Sequence, residues 1–177
     1  MRYKLLAILL AASIMLAGGA CKRRQRARIA VTEEEPPQMA TVVHMADPRA
    51  SAQLVTGFHE IEQNSWRWTT GKFAVVLRTP RGAAQKGALL KLQFAVPAPV
   101  ISRLKAVTLA ANIDGTALKP ETYTKSGEFV YIRDVSPQLM TNDSVRVEFA
   151  LDKFLPAGTV EARELGVIAS SVGLEPK

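Results

Sequence analysis

Apolar residues recur with a period of two through four separate stretches of this chain, and that period leaves few folds open. Phe73, Val75 and Leu77 alternate with Ala74, Val76 and Arg78, and Leu90, Leu92, Phe94 and Val96 alternate with Lys91, Gln93 and Ala95. Val107, Leu109, Ala111 and Ile113 alternate with Thr108, Ala110 and Asn112, and Val145, Val147, Phe149 and Leu151 alternate with Arg146, Glu148 and Ala150. Successive side chains of a strand point to opposite faces, so each stretch reads as a strand with one buried and one wetter face. Asp114-Gly115, between Ile113 and Thr116, is a hairpin signal because both residues tolerate positive φ. Further breaks fall at Pro80 to Gly87, Pro97 to Pro99, Ser126-Gly127, Asn142-Asp143 and Pro156 to Gly158. No amphipathic stretch is long enough for a substantial helix; a helical turn is expected near Val100 to Leu104 and near Pro137 to Met140. The expected fold is all-β, an antiparallel two-sheet β-sandwich. Its predicted core contains Phe73, Val75, Leu77, Leu92, Phe94, Leu109, Ile113, Val147 and Phe149.

The first fifty residues follow another pattern. Arg2 and Lys4 precede an apolar run from Leu5 to Ala17 and the small residues Gly18, Gly19 and Ala20. A bilayer span needs about 20 apolar residues, so this is an export signal rather than a crossing. Cys21, the only cysteine, follows at once, and Leu16-Ala17-Gly18-Gly19-Ala20-Cys21 resembles the lipobox of bacterial lipoproteins. The lipobox usually carries Leu where Gly18 stands. The resemblance implies cleavage before Cys21 and acyl chains such as palmitate on its thiol and amine, hence a membrane partner. The other reading is an ordinary signal peptide that contains a cysteine, although nothing else in the chain calls for a thiol. Lys22 follows the cysteine in place of the Asp that retains familiar lipoproteins in the inner membrane. The implied location is therefore the cell envelope, at the outer membrane, facing the periplasm or the cell surface. Three regions result: a signal at 1–20, a flexible tether at 21–50 and a sandwich domain at 51–177. Residues 22–50 combine a basic run, Glu33 to Glu35 and Pro36-Pro37 with few large apolar residues, too little to fold alone.

The formal net charge of +7 would point to nucleic acid if it were spread over a folded face. It is not: Arg2 and Lys4 lie in the signal, and Lys22, Arg23, Arg24, Arg26 and Arg28 lie just after Cys21. Residues 36–177 hold 16 basic and 13 acidic residues, a net of +3. A basic cluster beside a lipid anchor fits anionic headgroups, at about 1 kcal/mol per Lys or Arg near the surface. No nucleic-acid partner is expected.

Gly57-Phe58-His59-Glu60-Ile61-Glu62 and Trp66-Arg67-Trp68-Thr69 resemble the opening of a β-sandwich module of bacterial surface-polysaccharide proteins, where it accompanies glycosyltransferases. Ile113-Asp114-Gly115, Pro137-Gln138-Leu139 and Arg163-Glu164-Leu165-Gly166-Val167 extend the resemblance over most of residues 55 to 175. Galactose-binding-like jelly rolls have a similar topology. What the resemblance implies is a glycan or an envelope protein as partner. No transferase domain is expected beside it, so any enzyme partner is expected to be a separate protein.

Residues for catalysis are scarce. His44 and His59 are the only histidines, no metal-ligand spacing occurs, and no nucleophile-elbow motif accompanies His59. No enzyme activity and no cofactor are expected. Glu60 and Glu62 would share one face of a strand, as a carboxylate pair or as a solvated surface. The ligand-binding candidates are His59, Glu60, Trp66, Arg67 and Trp68. Alternation puts both tryptophans on one face and Arg67 on the other. Aromatic faces suit the C–H patches of sugar rings, but a tryptophan pair in a sandwich is more often a core element with its N–H satisfied nearby. Arg67 also fits as a buried partner of Glu60 or Glu62.

Overall fold

The computed structural model describes residues 38–177; the expected signal at 1–20, Cys21 and the expected tether up to residue 37 lie outside the described residues. It has nine strands among the described residues: β1 (Val42–His44), β2 (Leu54–Glu62), β3 (Trp66–Arg78), β4 (Ala88–Val96), β5 (Val107–Ile113), β6 (Thr116–Tyr123), β7 (Gly127–Val135), β8 (Ser144–Leu151) and β9 (Ile168–Pro176). All pairings are antiparallel, in the order β6-β5-β8-β3-β9-β4-β7, with β2 beside β3 and β1 beside β9.

β3 joins two layers. Its residues 72–78 pair with β8, whereas Arg67 and Trp68 pair with β9. The two ends of the strand path meet: the Phe94 ring of β4 lies edge-on to Tyr123 of β6 at 5.0 Å, and the Tyr131 hydroxyl of β7 donates to the Lys119 carbonyl of β6 at 2.8 Å. The sheet is thus folded over on itself as a β-sandwich, with one hydrophobic core between the layers.

The alternation read from the sequence is what the strands obey. β5 buries Val107, Leu109, Ala111 and Ile113, and β8 buries Val145, Val147, Phe149 and Leu151. All nine predicted core residues are buried. Phe73 stacks on Phe149 at 4.9 Å where β3 and β8 pair these residues directly. Asp114 and Gly115 take φ of 45° and 87°, the double positive φ of a two-residue hairpin turn. Helical turns occur at Ala98–Leu104 and Pro137–Leu139, as expected, and also at Pro48–Ala52 and Ala83–Lys86.

The fold begins earlier than residue 51. β1 lies inside the stretch assigned to the tether, with Val43 opposite Val172 and with Val43 and Met45 buried. The Gln53 side chain accepts from the Ala40 amide and donates to the Ala40 carbonyl, clamping the chain there. A three-residue strand is too short to show a period, and the charged, proline-containing residues around it hide its two valines.

Candidate functional site

The start of β3 carries most of the predicted site residues and separates them. Arg67 is only 6% exposed and points into the protein, while Trp66 and Trp68 are half-buried on the opposite, outward face. The Arg67 guanidinium donates to the His59 carbonyl at 2.9 Å and to the Met45 carbonyl at 3.3 Å. Its partners are therefore backbone carbonyls rather than Glu60 or Glu62, and it does not join the tryptophans in one contact surface. Glu62 pairs instead with Arg163 at 2.8 Å, and Glu60 is exposed. His59 Nε2 lies 2.7 Å from the Glu164 carbonyl. A carbonyl only accepts, so His59 donates and has no free lone pair on that nitrogen.

The two ends of the motif set meet in space. Buried Thr69 exchanges backbone bonds with Val167 and Gly166, and its Oγ1 accepts from the Val167 amide at 3.1 Å. Glu164 accepts from the Gly71 amide at 2.7 Å. Gly57, at φ 77°, lets β2 pass close to β3: a Cβ there would come within 2.1 Å of the Lys72 carbonyl oxygen. Most motif residues thus fasten the 163–167 segment and β2 onto β3.

The tryptophan face opens onto a groove. Register places Trp68, Ile168, Ala95 and Glu128 side by side across β3, β9, β4 and β7, with Gln93 and Val130 paired on the next level. A cavity of about 670 Å³ is lined there by Trp66, Gln93, Glu128, Val130, Ile168 and Ser170, among others. Trp68 packs against the buried cluster and meets Trp66 edge-on at 6.4 Å, so it braces the ring that lines the groove. Val130 is 47% and Ile132 45% exposed, two residues apart on the outer face of β7. Ser171 donates to Gln93 Oε1 at 2.9 Å, which fixes that amide and leaves its N–H₂ as donor toward solvent. The groove therefore offers one aromatic face, an apolar floor, amide and hydroxyl groups, and a single carboxylate.

Gln93, Glu128, Val130, Ile168 and Ser170 are not among the residues singled out from the sequence. β7 has apolar residues on both parities, Phe129 and Tyr131 inward and Val130 and Ile132 outward, which blurs the period. Among the described residues, no three His, Cys, Asp or Glu side chains gather as a metal site.

No family model matches the chain, and no curated protein matches its sequence. The chain is similar to parts of solved structures. Dimeric latent PorU from Porphyromonas gingivalis is matched at 9% identity over 60% of this chain and 10% of that one, with a TM-score of 0.38. The CBM51-2 and INT domains of Clostridium perfringens ZmpB, solved with GlcNAc, are matched at 12% identity over 77% of this chain and 28% of that one, with a TM-score of 0.36. A CBM4 structure is matched at 11% identity over 77% of this chain and 85% of that one, with a TM-score of 0.34. The chain thus spans a small part of the first two proteins. Likeness at this level carries no weight for what this chain binds.

Proposed function

We propose that this protein is a non-catalytic lipoprotein of the cell envelope that binds glycan in the groove beside Trp66. The observation that carries this reading is the half-buried Trp66 ring, braced by Trp68, lining a concave surface bordered by Gln93, Glu128 and Ser170. A sugar ring can lay its C–H face on the indole while these polar groups take its hydroxyls. Arg67 and His59 serve as supports, since Arg67 Nε and Nη1 and His59 Nε2 already donate to backbone carbonyls. Lipidation at Cys21 would tie the protein to the outer membrane. The Ala40 carbonyl meets the Arg78 amide at 3.0 Å, so the described chain starts at the end of β3 away from Trp66.

Titration with native envelope polysaccharide tests the binding. Wild type should bind in the micromolar to millimolar range, because an exposed sugar keeps much of its hydration. Trp66→Ala should bind at least about tenfold more weakly, a loss of about 1.4 kcal/mol or more, with its fold retained. Wild type that binds no glycan, or a folded Trp66→Ala that binds unchanged, would favour a structural lipoprotein of an envelope complex. The exposed Val130 and Ile132 suit that second reading. Anchoring has its own test: Cys21→Ser should release the protein from membranes or leave it unprocessed. Mature protein that stays membrane-bound would refute the lipid anchor.

A further inference from the structure

The opposite outer face carries a second concavity that the glycan-groove reading does not use. Its floor is alanine. Ala150 pairs with Ala110 on one level, beside Lys72, and Ala74 lies on the next level beside Glu148 and Asn112. Alanine is a poor strand former, yet β3, β5 and β8 each place one on this outer face, at Ala74, Ala110 and Ala150. The result is a trough of about 470 Å³ crossed by the strands.

Its walls are charged and ordered. Arg146 Nε donates to Glu148 at 2.8 Å, and the Asn112 amide donates to the other Glu148 oxygen at 3.1 Å. These bonds, Arg146 first, hold the Glu148 carboxyl below the usual carboxylate range. Arg146 spends only its Nε on that contact; its two terminal nitrogens meet no acceptor among the described residues. The Lys72 ammonium likewise has none. Two cations thus border the trough, against one carboxylate that already accepts from two donors.

We infer that this alanine-floored trough is a second binding site, independent of the tryptophan groove, for a linear glycan carrying anionic groups. The two free terminal nitrogens of Arg146 can take a carboxylate side by side. Glu148 keeps lone pairs for hydroxyl donors, which a polyol has and an acidic peptide side chain lacks. Lys72 supplies a point charge at the other end of the trough. The bare Cβ floor admits a ring that any larger side chain would exclude.

The test is affinity electrophoresis of the full chain in gels containing polygalacturonate, a sulfated dextran, neutral dextran or polyglutamate. Polygalacturonate should retard wild type, neutral dextran should not, and Ala150→Leu should weaken retardation at least tenfold without changing the net charge. Lys72→Gln, at an exposed position, should weaken it several-fold. The same charge change at Lys125→Gln should leave it within about twofold, and Trp66→Ala should leave it unchanged. Sulfated dextran at equal strength would keep the site and widen its anion from carboxylate to sulfate. Retardation that follows net charge alone, with Ala150→Leu equal to wild type, would overturn the site, as would equal retardation by polyglutamate. If Ala150→Leu does not fold, Lys72→Gln against Lys125→Gln decides: equal losses refute the site.

Discussion

Arg67 stands between two tryptophans in sequence yet faces the other way, and its surroundings define a structural role. Its guanidinium ties the β1 end, through the Met45 carbonyl, to β2, through the His59 carbonyl. Removing it takes the donor from the buried Met45 contact and from the half-buried His59 one, and each unpaired buried polar group costs about 1–3 kcal/mol. Arg67→Ala should therefore lower stability by about 2–4 kcal/mol in urea unfolding. A loss under about 0.5 kcal/mol, the range of ordinary surface changes, would contradict the buried role. The parity of Trp66-Arg67-Trp68 was legible in the sequence, because strand alternation alone dictates it. The partner of Arg67 was not: backbone carbonyls leave no residue type to recognise, whereas Glu60 and Glu62 advertised a charge pair.

At the scale of elements, β5, β8 and their turn are the clearest case of sequence dictating structure. Each alternates cleanly because one face meets the core and the other meets solvent. Gly115 lies at φ 87° with nothing within 4 Å of a would-be Cβ, so substitution there brings backbone strain without a clash. Gly115→Val should cost about 1–3 kcal/mol, read from thermal or urea unfolding, and no loss would mean that the turn is not of this type. β9 was illegible for the opposite reason. It lies between β3 and β4 with β1 also at its side, and Ala169, Val172 and Leu174 are buried together with Ser171 and Gly173. A strand covered this fully shows a run of small and apolar residues rather than a period. Because β7 and β9 form much of the groove, its polar border was invisible until the strands were paired.

At the scale of the molecule, stability should rest on the core between the layers. Leu109, fully buried on β5, should cost about 2–5 kcal/mol when cut to Ala, measured in urea, and a loss under about 1 kcal/mol would place it outside the core. The far-ultraviolet circular dichroism of the purified protein should be that of strands, and a helix-dominated spectrum would contradict the fold. The central functional claim is that Trp66 is where glycan makes contact, and the chain's two tryptophans make that directly measurable. Tryptophan emission is followed while envelope polysaccharide is added to wild type, Trp66→Phe and Trp68→Phe. Emission should shift to the blue in wild type and in Trp68→Phe as sugar displaces water from the Trp66 ring, and should stay fixed in Trp66→Phe. No shift in wild type at millimolar sugar, or a shift that survives in Trp66→Phe and vanishes in Trp68→Phe, would contradict it.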